Sequence, residues 1–421
     1  MPRFRRPTGT QDILPQEQPY WQHVIRTAEG LALRYGFQRL DTPIFEETAL
    51  FARGVGGATD IVEKEMYSFK DKGGHDLTLR PEFTAGVVRA YLENGMQKLP
   101  KPVKLYSIGP IFRYERPQAG RFRQFHQFNA EILGVADPLA DLEAMLLAWD
   151  LYEALEFSGL SFQLNSTGCP TCRPHYVEAL VVHYRAHYDQ ICDDCKRRLE
   201  TNPLRVLDCK KAQCQPVIAS APRITDHLCD DCRVHFQTLR GYLDALGKPY
   251  TINPRLVRGL DYYTRTVFEV WAEGIGAQAA VCGGGRYDGL VELLGGPPTP
   301  AVGFGAGIER MVMVMKAQGI EVPPLPQPRL FIAYLEKSVR REAVRLLVDL
   351  RAAGLDAQMA MGGSLKSQLR QANRRGARFV LLVGGEELLR GEVAVKDLVG
   401  GGQEPLPLEG IAEAMRARLE A

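Results

Sequence analysis

Long apolar runs are missing from this sequence of 421 residues, and no stretch is long enough for a membrane-spanning helix. The N-terminal segment is basic, but it lacks the apolar core of a secretory signal, and Asp12 soon follows. The net charge is only +2, so any polyanion must be bound by local basic patches. These absences predict a cytoplasmic protein without a membrane partner.

Repeats and low-complexity segments are also absent. The composition, 45% hydrophobic and 24% charged, is that of a globular chain with enough apolar residues for two or three domains. The clearest boundary is the proline-rich segment at residues 323–328, which is typical of a stiff linker. We therefore predict one domain at residues 1–322 and a second at residues 329–421.

The second domain alternates strand and helix patterns. We predict strands at 329–335, 355–361, 377–384 and 391–398, and helices at 338–353, 364–375 and 407–419. This alternation predicts a small, mostly parallel α/β domain. The helix at 364–375 carries Lys366, Arg370, Arg374 and Arg375, which form either a solvated face or a surface for an RNA backbone.

Cysteine is rare except in one segment, since eight of the nine lie between Cys169 and Cys232. The spacing is Cys169-x-x-Cys172, Cys192-x-x-Cys195, Cys209-x4-Cys214 and Cys229-x-x-Cys232. Paired cysteines of this kind indicate a structural zinc site. Predicted helices at 176–201 and 225–246 would contain two of the pairs, so disulfides and plain buried thiols remain alternatives.

The first domain mixes helices with strands. Helix patterns cover residues 16–35, 137–157 and 308–316, and strand patterns cover residues 35–47 and 159–165. A hairpin is predicted at the turn Lys72-Gly73-Gly74, followed by a helix from Glu82. The cysteine-bearing segment, at about 168–248, is predicted to be a helical insertion.

Arginines concentrate around a second predicted hairpin at residues 112–131. Two strands with alternating polar residues flank the turn Pro117-Gln118-Ala119-Gly120. The period of two places Arg113, Gln127 and Glu131 on one face. Arginine binds phosphate in a bidentate manner, and a sheet face of this polarity is costly to bury without a ligand. The hairpin therefore predicts a site for a polar, polyanionic ligand.

This hairpin and the segment GFGAGIERM at residues 303–311 resemble motifs 2 and 3 of class II aminoacyl-tRNA synthetases. Four further segments resemble the histidyl-tRNA synthetases of bacterial type, and the similarity spans about residues 6–408. Those segments are RPTGTQDILP (6–15), LTLRPEFTAGVVRAY (77–91), LVRGLDYYTRTVFEV (256–270) and AVCGGGRYDGL (280–290). The resemblance implies an α+β catalytic domain built on an antiparallel sheet with a helical insertion, followed by a C-terminal α/β anticodon-binding domain.

The same resemblance implies a histidine–tRNA ligase that activates histidine with ATP and Mg²⁺ and transfers it to histidine tRNA. Arg113 and Arg258 would be catalytic, gripping the α-phosphate. The residues matching the ATP site are Arg113, Glu115, Arg121, Phe125 and Arg310. No magnesium ligand is assigned. Motif 1 of the family resembles residues 35–47 and implies a homodimer.

Histidine binding is implied for a second set of residues. Glu82, Thr84 and Gln127 would receive the α-ammonium group, Glu131 and Tyr263 would bind the imidazole nitrogens, and Tyr262 would line the pocket. A site built around such polar contacts can reject other amino acids without editing. Phe83 stands where relatives commonly carry glycine. The bulky ring is a departure that bears on the position of the loop expected to bind the ammonium group.

Two other activities are compatible with these motifs. A non-catalytic, synthetase-like regulatory subunit of ATP phosphoribosyltransferase would lose active-site residues and the C-terminal domain, and this chain retains both. A synthetase for proline, threonine or glycine is disfavoured by the segments at 256–270 and 280–290.

Overall fold

The computed structural model describes residues 4–57, 59–118, 120–273 and 280–420. Ala119, in the predicted turn at residues 117–120, lies outside them. The chain divides into two compact units on either side of the Pro323–Pro324 bond. Within the described ranges, no helix is long and apolar enough to cross a membrane.

An antiparallel sheet of eight strands is the centre of the first unit, as predicted. The strands of this unit are β1 (Gln38–Arg39), β2 (Phe45–Glu47), β3 (Tyr67–Lys70), β4 (Asp76–Leu79), β5 (Val103–Phe112), β6 (Gln124–Leu133), β7 (Ser161–Ser166), β8 (Tyr250–Ile252), β9 (Thr264–Trp271), β10 (Ala280–Arg286) and β11 (Ala301–Gly307). The main sheet has the order β1-β5-β6-β11-β10-β9-β7-β8, and only its two outermost pairs are parallel. Strands β2, β4 and β3 form a small separate sheet.

The helices of the first unit cover the sheet and build the insertion. They are α1 (Gln18–Arg34), α2 (Thr48–Val55), α3 (Thr84–Glu93), α4 (Pro138–Ala154), α5 (Arg173–Ala186), α6 (Asp193–Thr201), α7 (Gln215–Ala219), α8 (Asp230–Ala245), α9 (Leu290–Leu293) and α10 (Ile308–Ala317). Helices α1, α4, α8 and α10 share one apolar core with the sheet. Part of the opposite face packs against α3 and α9 in another apolar core, and the rest of that face carries polar side chains.

Four local predictions for the first unit were wrong. The single strand expected at 35–47 is divided between β1 and β2, which belong to different sheets. The helix expected at 176–201 is two helices, α5 and α6, and the helix expected at 225–246 begins only at Asp230. Cys192 and Cys229 therefore precede helices instead of lying inside them. Strand β5 also ends at Phe112, so Arg113 lies in the loop beyond it.

The second unit has five strands and four helices among its described residues. They are β12 (Leu330–Tyr334), α11 (Arg340–Ala352), β13 (Ala357–Met359), α12 (Leu365–Arg374), β14 (Phe379–Val383), α13 (Gly385–Leu389), β15 (Glu392–Asp397), β16 (Gln403–Pro407) and α14 (Ile411–Glu420). Strand β12 pairs in parallel with β13 and β14, whereas β15 and β16 extend the sheet in antiparallel fashion. The sheet is thus mixed and not mostly parallel, because the connection after β14, which includes the short helix α13, and the connection after β15 are both shorter than a parallel crossover requires.

Candidate active site

Glycines leave part of one face of the central sheet without side chains. Gly303, Gly305 and Gly307 of β11 pair with Glu131, Asn129 and Gln127 of β6. On the other edge of β11, Gly285 and Gly283 of β10 pair with Gly303 and Gly305. Because alternate residues of a strand share a face, these positions lie together and leave a floor without Cβ atoms.

The glycines also leave space for particular neighbours. A Cβ at Gly303 would lie 1.6 Å from Oε2 of Glu131, and one at Gly283 would lie 2.3 Å from Nη2 of Arg258. At Gly285 the nearest side chain is Tyr263, whose Cδ1 would be 2.9 Å away. The run Gly283-Gly284-Gly285 is therefore required by the side chains that lie across it, and Gly284 faces the backbone of Gly303.

A cavity of about 270 Å³ opens over this floor. It is lined by four arginines and by residues of both predicted sets, including Arg113, Glu115, Arg121, Phe125, Gln127, Arg258, Glu269 and Arg310. Every residue that the resemblance assigns to ATP is among them. The structure thus brings together side chains from β6, β9, α10 and two loops.

Arg113 is positioned by backbone at the rim of the cavity. Its Nε donates to the carbonyl oxygen of Pro81 at 2.8 Å. The guanidinium carbon lies 5.6 Å from the centre of the Phe125 ring, within cation–π range. This arrangement fixes the side chain and leaves its terminal nitrogens for an anion.

Arg258 lies in the loop between β8 and β9. Its Nη1 donates to Oε1 of Glu269 at 2.6 Å, and Nε1 of Trp271 donates to the other carboxylate oxygen at 2.9 Å. Nε of Arg258 is buried and has no hydrogen-bond partner among the residues that the structure describes. An orphaned charged donor of this kind is costly unless a ligand supplies the acceptor. Glu269 lies in the segment 256–270 but was not predicted as a site residue.

Arg310 and Arg121 increase the positive charge of the cavity. Nη1 of Arg310 donates to the carbonyl oxygen of Ala280 at 2.5 Å. Burial, and after it the charge of Arg121, lowers the pKa of Arg310. Arg121 is half exposed and pairs with Glu115 at 3.1 Å. An anion in the cavity would relieve the repulsion between the two guanidinium groups.

Glu131 lies beneath the cavity and is 1% exposed. Its Oε1 accepts from Oγ1 of Thr84 at 2.6 Å and from Nδ2 of Asn129 at 3.0 Å, and its Oε2 accepts from the hydroxyl of Tyr287 at 2.5 Å. Burial raises the pKa of Glu131 to about 8. The protein itself therefore supplies three hydrogen-bond donors to Glu131.

Glu82 and Thr84 flank the buried ring of Phe83 at the start of α3. The carboxylate of Glu82 accepts the backbone N–H groups of Thr84 and Ala85 at 2.6 and 2.8 Å. Phe83 is 2% exposed and belongs to the apolar core, with the guanidinium carbon of Arg80 4.3 Å from the ring centre. The bulky ring therefore points away, and it leaves Glu82 and Thr84 on the side of Glu131.

Three tyrosines complete the wall around Glu131. The rings of Tyr262 and Tyr263 have centres 4.8 Å apart, and Tyr287 meets Tyr262 edge-on at 5.6 Å. Burial raises the pKa of Tyr263. Tyr287 was not predicted as a site residue. Its position directly after the glycine run and Arg286 is the feature of the sequence that could have indicated it.

These observations define two adjoining regions. One is an arginine-lined cavity suited to a polyphosphate, and the other is a buried cluster of acids, hydroxyls and tyrosines suited to a small polar molecule. Gln127 and Gly283, which line the cavity, lie two residues along their strands from Asn129, which contacts Glu131, and from Gly285, which adjoins Tyr263. The arrangement can hold an anionic phosphate next to a small substrate.

Comparison with known proteins is consistent with this arrangement. The family model described as "Histidyl-tRNA synthetase" matches residues 9–170 and 212–311, and one described as "Anticodon binding domain" matches residues 329–418. A curated histidine–tRNA ligase of Dehalococcoides mccartyi is 51% identical over 407 residues, which cover 96% of this chain and 97% of that protein. One from Pelotomaculum thermopropionicum is 48% identical and covers 98% of both chains.

Among solved structures, apo histidyl-tRNA synthetase of S. aureus superimposes with a TM-score of 0.82 at 39% identity, covering 98% of this chain and 99% of that one. An ATP phosphoribosyltransferase regulatory subunit/histidyl-tRNA synthetase of Bacillus halodurans shares the fold, with a TM-score of 0.64 at 20% identity. With similarity of this extent along both units, the chain belongs to the histidyl-tRNA synthetase family.

Proposed function

We propose that this chain is a histidine–tRNA ligase. It activates histidine with ATP and then transfers the histidyl group to the 3′ end of histidine tRNA. The observation that carries the proposal is the placement of an arginine-lined cavity next to the buried cluster around Glu131. A polyphosphate and a small amino acid then lie close enough to react.

In the first step, a carboxylate oxygen of histidine attacks the α-phosphorus of ATP and pyrophosphate leaves. Such a reaction depends on positioning and on cations near the developing charge. Arg113 and Arg258 hold the α-phosphate and the carboxylate of histidine, and the orphaned Nε of Arg258 supports this role. Mg²⁺ accompanies ATP and is held mainly by phosphate oxygens and water.

The rest of ATP extends over the sheet floor. Arg310 and Arg121 bind the outer phosphates, and the excess positive charge around them supports this assignment. Arg121 must then exchange its contact with Glu115 for a phosphate, and its half-exposed side chain leaves it free to turn toward the cavity. Phe125 stacks on the adenine ring, and Glu115 accepts from the adenine amino group.

Histidine occupies the region around Glu131. Glu82, Thr84 and Gln127 receive the α-ammonium, whereas Glu131, Tyr263 and Tyr262 surround the imidazole. Because Glu131 has a pKa of about 8, its carboxyl group is largely protonated at neutral pH, and it can donate to one imidazole nitrogen.

In the second step, a hydroxyl of the terminal ribose of the tRNA attacks the histidyl carbonyl carbon, and AMP leaves. The match of the second unit to the anticodon-binding family supports tRNA as the acceptor. The exposed cations of α12, Lys366 and Arg370, support contact with the RNA backbone. This unit is not needed for the first step.

A homodimer in the cytoplasm is the functional form that we propose. Ile44, Phe45 and Phe69 lie in or beside the small sheet of β2, β4 and β3, and each is at least 44% exposed. Exposed apolar side chains grouped in this way favour a protein partner. Light scattering of the purified chain tests the dimer, and Phe45→Glu is expected to shift it toward monomer.

The activity is tested by pyrophosphate exchange with each amino acid in turn, with Arg258→Ala as the control. Exchange is expected with histidine and to be lost in the variant. Exchange with a different amino acid would reject the assigned specificity. Failure of the wild-type protein to exchange with any amino acid would instead favour a non-catalytic, synthetase-like protein such as a regulatory subunit.

A further inference from the structure

Eight cysteines of the insertion gather into two groups of four. One group comprises Cys169, Cys172, Cys229 and Cys232, and the other comprises Cys192, Cys195, Cys209 and Cys214. Within each group all the Sγ atoms lie within 4.8 Å of one another. Residues separated by as many as 63 positions in the sequence, Cys169 and Cys232, are thus brought to one point.

The sulfur–sulfur distances identify the chemistry. Sγ of Cys169 lies 3.7 Å from Sγ of both Cys172 and Cys229. In the other group, Cys192 and Cys209 are 3.9 Å apart, and Cys195 and Cys214 are 3.8 Å apart. A tetrahedron with Zn–S bonds of about 2.3 Å has edges of about 3.8 Å. A disulfide requires about 2.05 Å, so neither group has that geometry.

We propose that the insertion binds two zinc ions, each held by four cysteine thiolates. The Cys169 group forms the first site and the Cys192 group forms the second. Binding of each Zn²⁺ releases four thiol protons and leaves a complex with a net charge of −2, and no oxidant or reductant is needed. Since no oxygen or nitrogen ligand takes part and four positions are filled, both sites are structural.

The local backbone suits thiolates. Cys172, Cys192 and Cys229 immediately precede α5, α6 and α8, so the free N–H groups and the dipole of a helix N-terminus face each pair. The backbone N–H of Cys169 donates to Sγ of Cys172 at 3.3 Å, and that of Cys192 donates to Sγ of Cys214 at 3.2 Å.

A glycine makes room for the first site. Gly168 has a φ of +67°, and a Cβ there would lie 2.9 Å from Sγ of Cys172. An L side chain would be strained at this backbone angle and would press on the sulfur. The residue before the first CxxC pair is therefore part of the site.

The insertion needs such cross-links because its own core is small. Four of its fourteen fully buried core residues are the cysteines of the second site, Cys192, Cys195, Cys209 and Cys214. Small subdomains with little apolar core commonly rely on metal or disulfides for order. The first site joins the start of the insertion to its end, and the second holds its middle together.

The insertion that carries both sites contacts the loop beside the active site. Arg173, next to Cys172, donates from Nε to the carbonyl oxygen of Thr167 at 2.8 Å and from Nη2 to that of Tyr263. Asn202 and Arg205 lie in the segment that joins Cys195 to Cys209. Nδ2 of Asn202 donates to Oδ1 of Asp261 at 3.2 Å, and Arg205 forms an ion pair with Asp60. The loop that carries Arg258 and Tyr263 is therefore supported by the zinc-ordered insertion.

The family match does not account for this feature. It skips residues 171–211, which contain Cys172, Cys192, Cys195 and Cys209. The proposal thus depends on the cysteines of this chain, and it is independent of the assigned aminoacylation activity.

The test is the metal content of the full chain, purified under reducing conditions without chelator and measured by mass spectrometry. We expect two zinc ions per chain, and we expect one to be lost in Cys172→Ser and one in Cys195→Ser. Cys282→Ser is the matched control, because Cys282 is the ninth cysteine and belongs to neither group. Its zinc content should equal that of the wild type.

A second measurement uses the wild-type protein, so it tests the proposal even if the cysteine variants fail to fold. Wild-type protein stripped of metal and loaded with Co²⁺ alone should show the visible absorption of tetrahedral cobalt with sulfur-to-metal charge transfer. Its insertion should also become resistant to limited proteolysis. Fewer than two metals bound per chain after zinc reconstitution would overturn the proposal. Disulfide bonds among these cysteines would also overturn it, if peptide mass mapping without reductant found them in the zinc-loaded protein.

Discussion

The carboxylate of Glu269 accepts a hydrogen bond of 2.6 Å from the guanidinium of Arg258. Glu269 lies on β9, where it pairs with Gly283 of β10. The two side chains are 22% and 18% exposed, so this ion pair lies within the wall of the cavity. Trp271 holds the other oxygen of Glu269. Glu269 therefore fixes the direction in which Arg258 points.

Glu269→Gln should impair positioning of Arg258. An amide has one acceptor oxygen, so it can serve Arg258 or Trp271 but cannot pair fully with both. We expect kcat for histidine-dependent pyrophosphate exchange to fall by up to about 100-fold, because a small misplacement of a reacting group has this effect. The KM for histidine should change much less. Trp271→Phe removes only the second contact and should cause a smaller loss, whereas equal losses in both variants would contradict this role.

Gly283→Ala tests the glycine floor. The new methyl group would lie 2.3 Å from Nη2 of Arg258 and would displace the guanidinium. We expect a fall in kcat for pyrophosphate exchange comparable to that of Arg258→Ala, about 100-fold or more, with a retained melting temperature. Gly289→Ala is the control, since a Cβ there meets nothing within 4 Å. An unimpaired Gly283→Ala enzyme would show that Arg258 acts from another position.

The sequence indicates the arginines of the cavity better than the residues that support them. Arg113, Arg258 and Arg310 stand in recognisable segments, and the structure places all three in one cavity. Glu269 and Tyr287 were not identified, because their contacts depend on strand register and on a turn between β10 and α9. Pairing between distant strands is not encoded in local periodicity.

The cysteine segment shows a similar limit. Its spacing indicated zinc, but amphipathic periodicity extended the helices through Cys192 and Cys229. The observed breaks place these residues at helix starts, where four sulfurs can converge. Spacing alone could not distinguish which cysteine pairs meet, since members of one group lie up to 63 residues apart.

The raised pKa of Glu131 predicts a pH dependence of stability. The folded protein holds this proton up to about pH 8, whereas the ordinary value is 4.5. The contribution of Glu131 to the free energy of unfolding is fully present below pH 4.5. It is lost as the pH rises toward 8, by at most about 1.4 kcal/mol per pH unit. Glu131→Gln cannot titrate and should lack this slope.

Melting temperatures of both proteins between about pH 5 and pH 8 provide the measurement. The wild type should lose stability relative to Glu131→Gln across this range. The variant has weaker contacts to Tyr287, so its absolute stability is not the readout, and only the difference in slope counts. Parallel curves would mean that Glu131 is ionised throughout.

Helix α12 gives a prediction that concerns tRNA alone. Gln368 anchors it, because its amide accepts from the N–H of Tyr334 at 3.0 Å and donates to the carbonyl of the same residue at 2.9 Å. Lys366 and Arg370 remain exposed. The double variant Lys366→Ala/Arg370→Ala should lower aminoacylation relative to pyrophosphate exchange, and the slope of log Kd for tRNA against log salt should fall by about 2.

The matched control is Arg341→Ala/Arg345→Ala on α11, which removes the same charge from exposed positions of the same unit. If the α12 cations contact phosphates, only the α12 variant changes the salt slope, because released counterions are counted per phosphate contact. Equal effects of both variants would indicate a general electrostatic attraction to the second unit. In that case the RNA surface would not be α12.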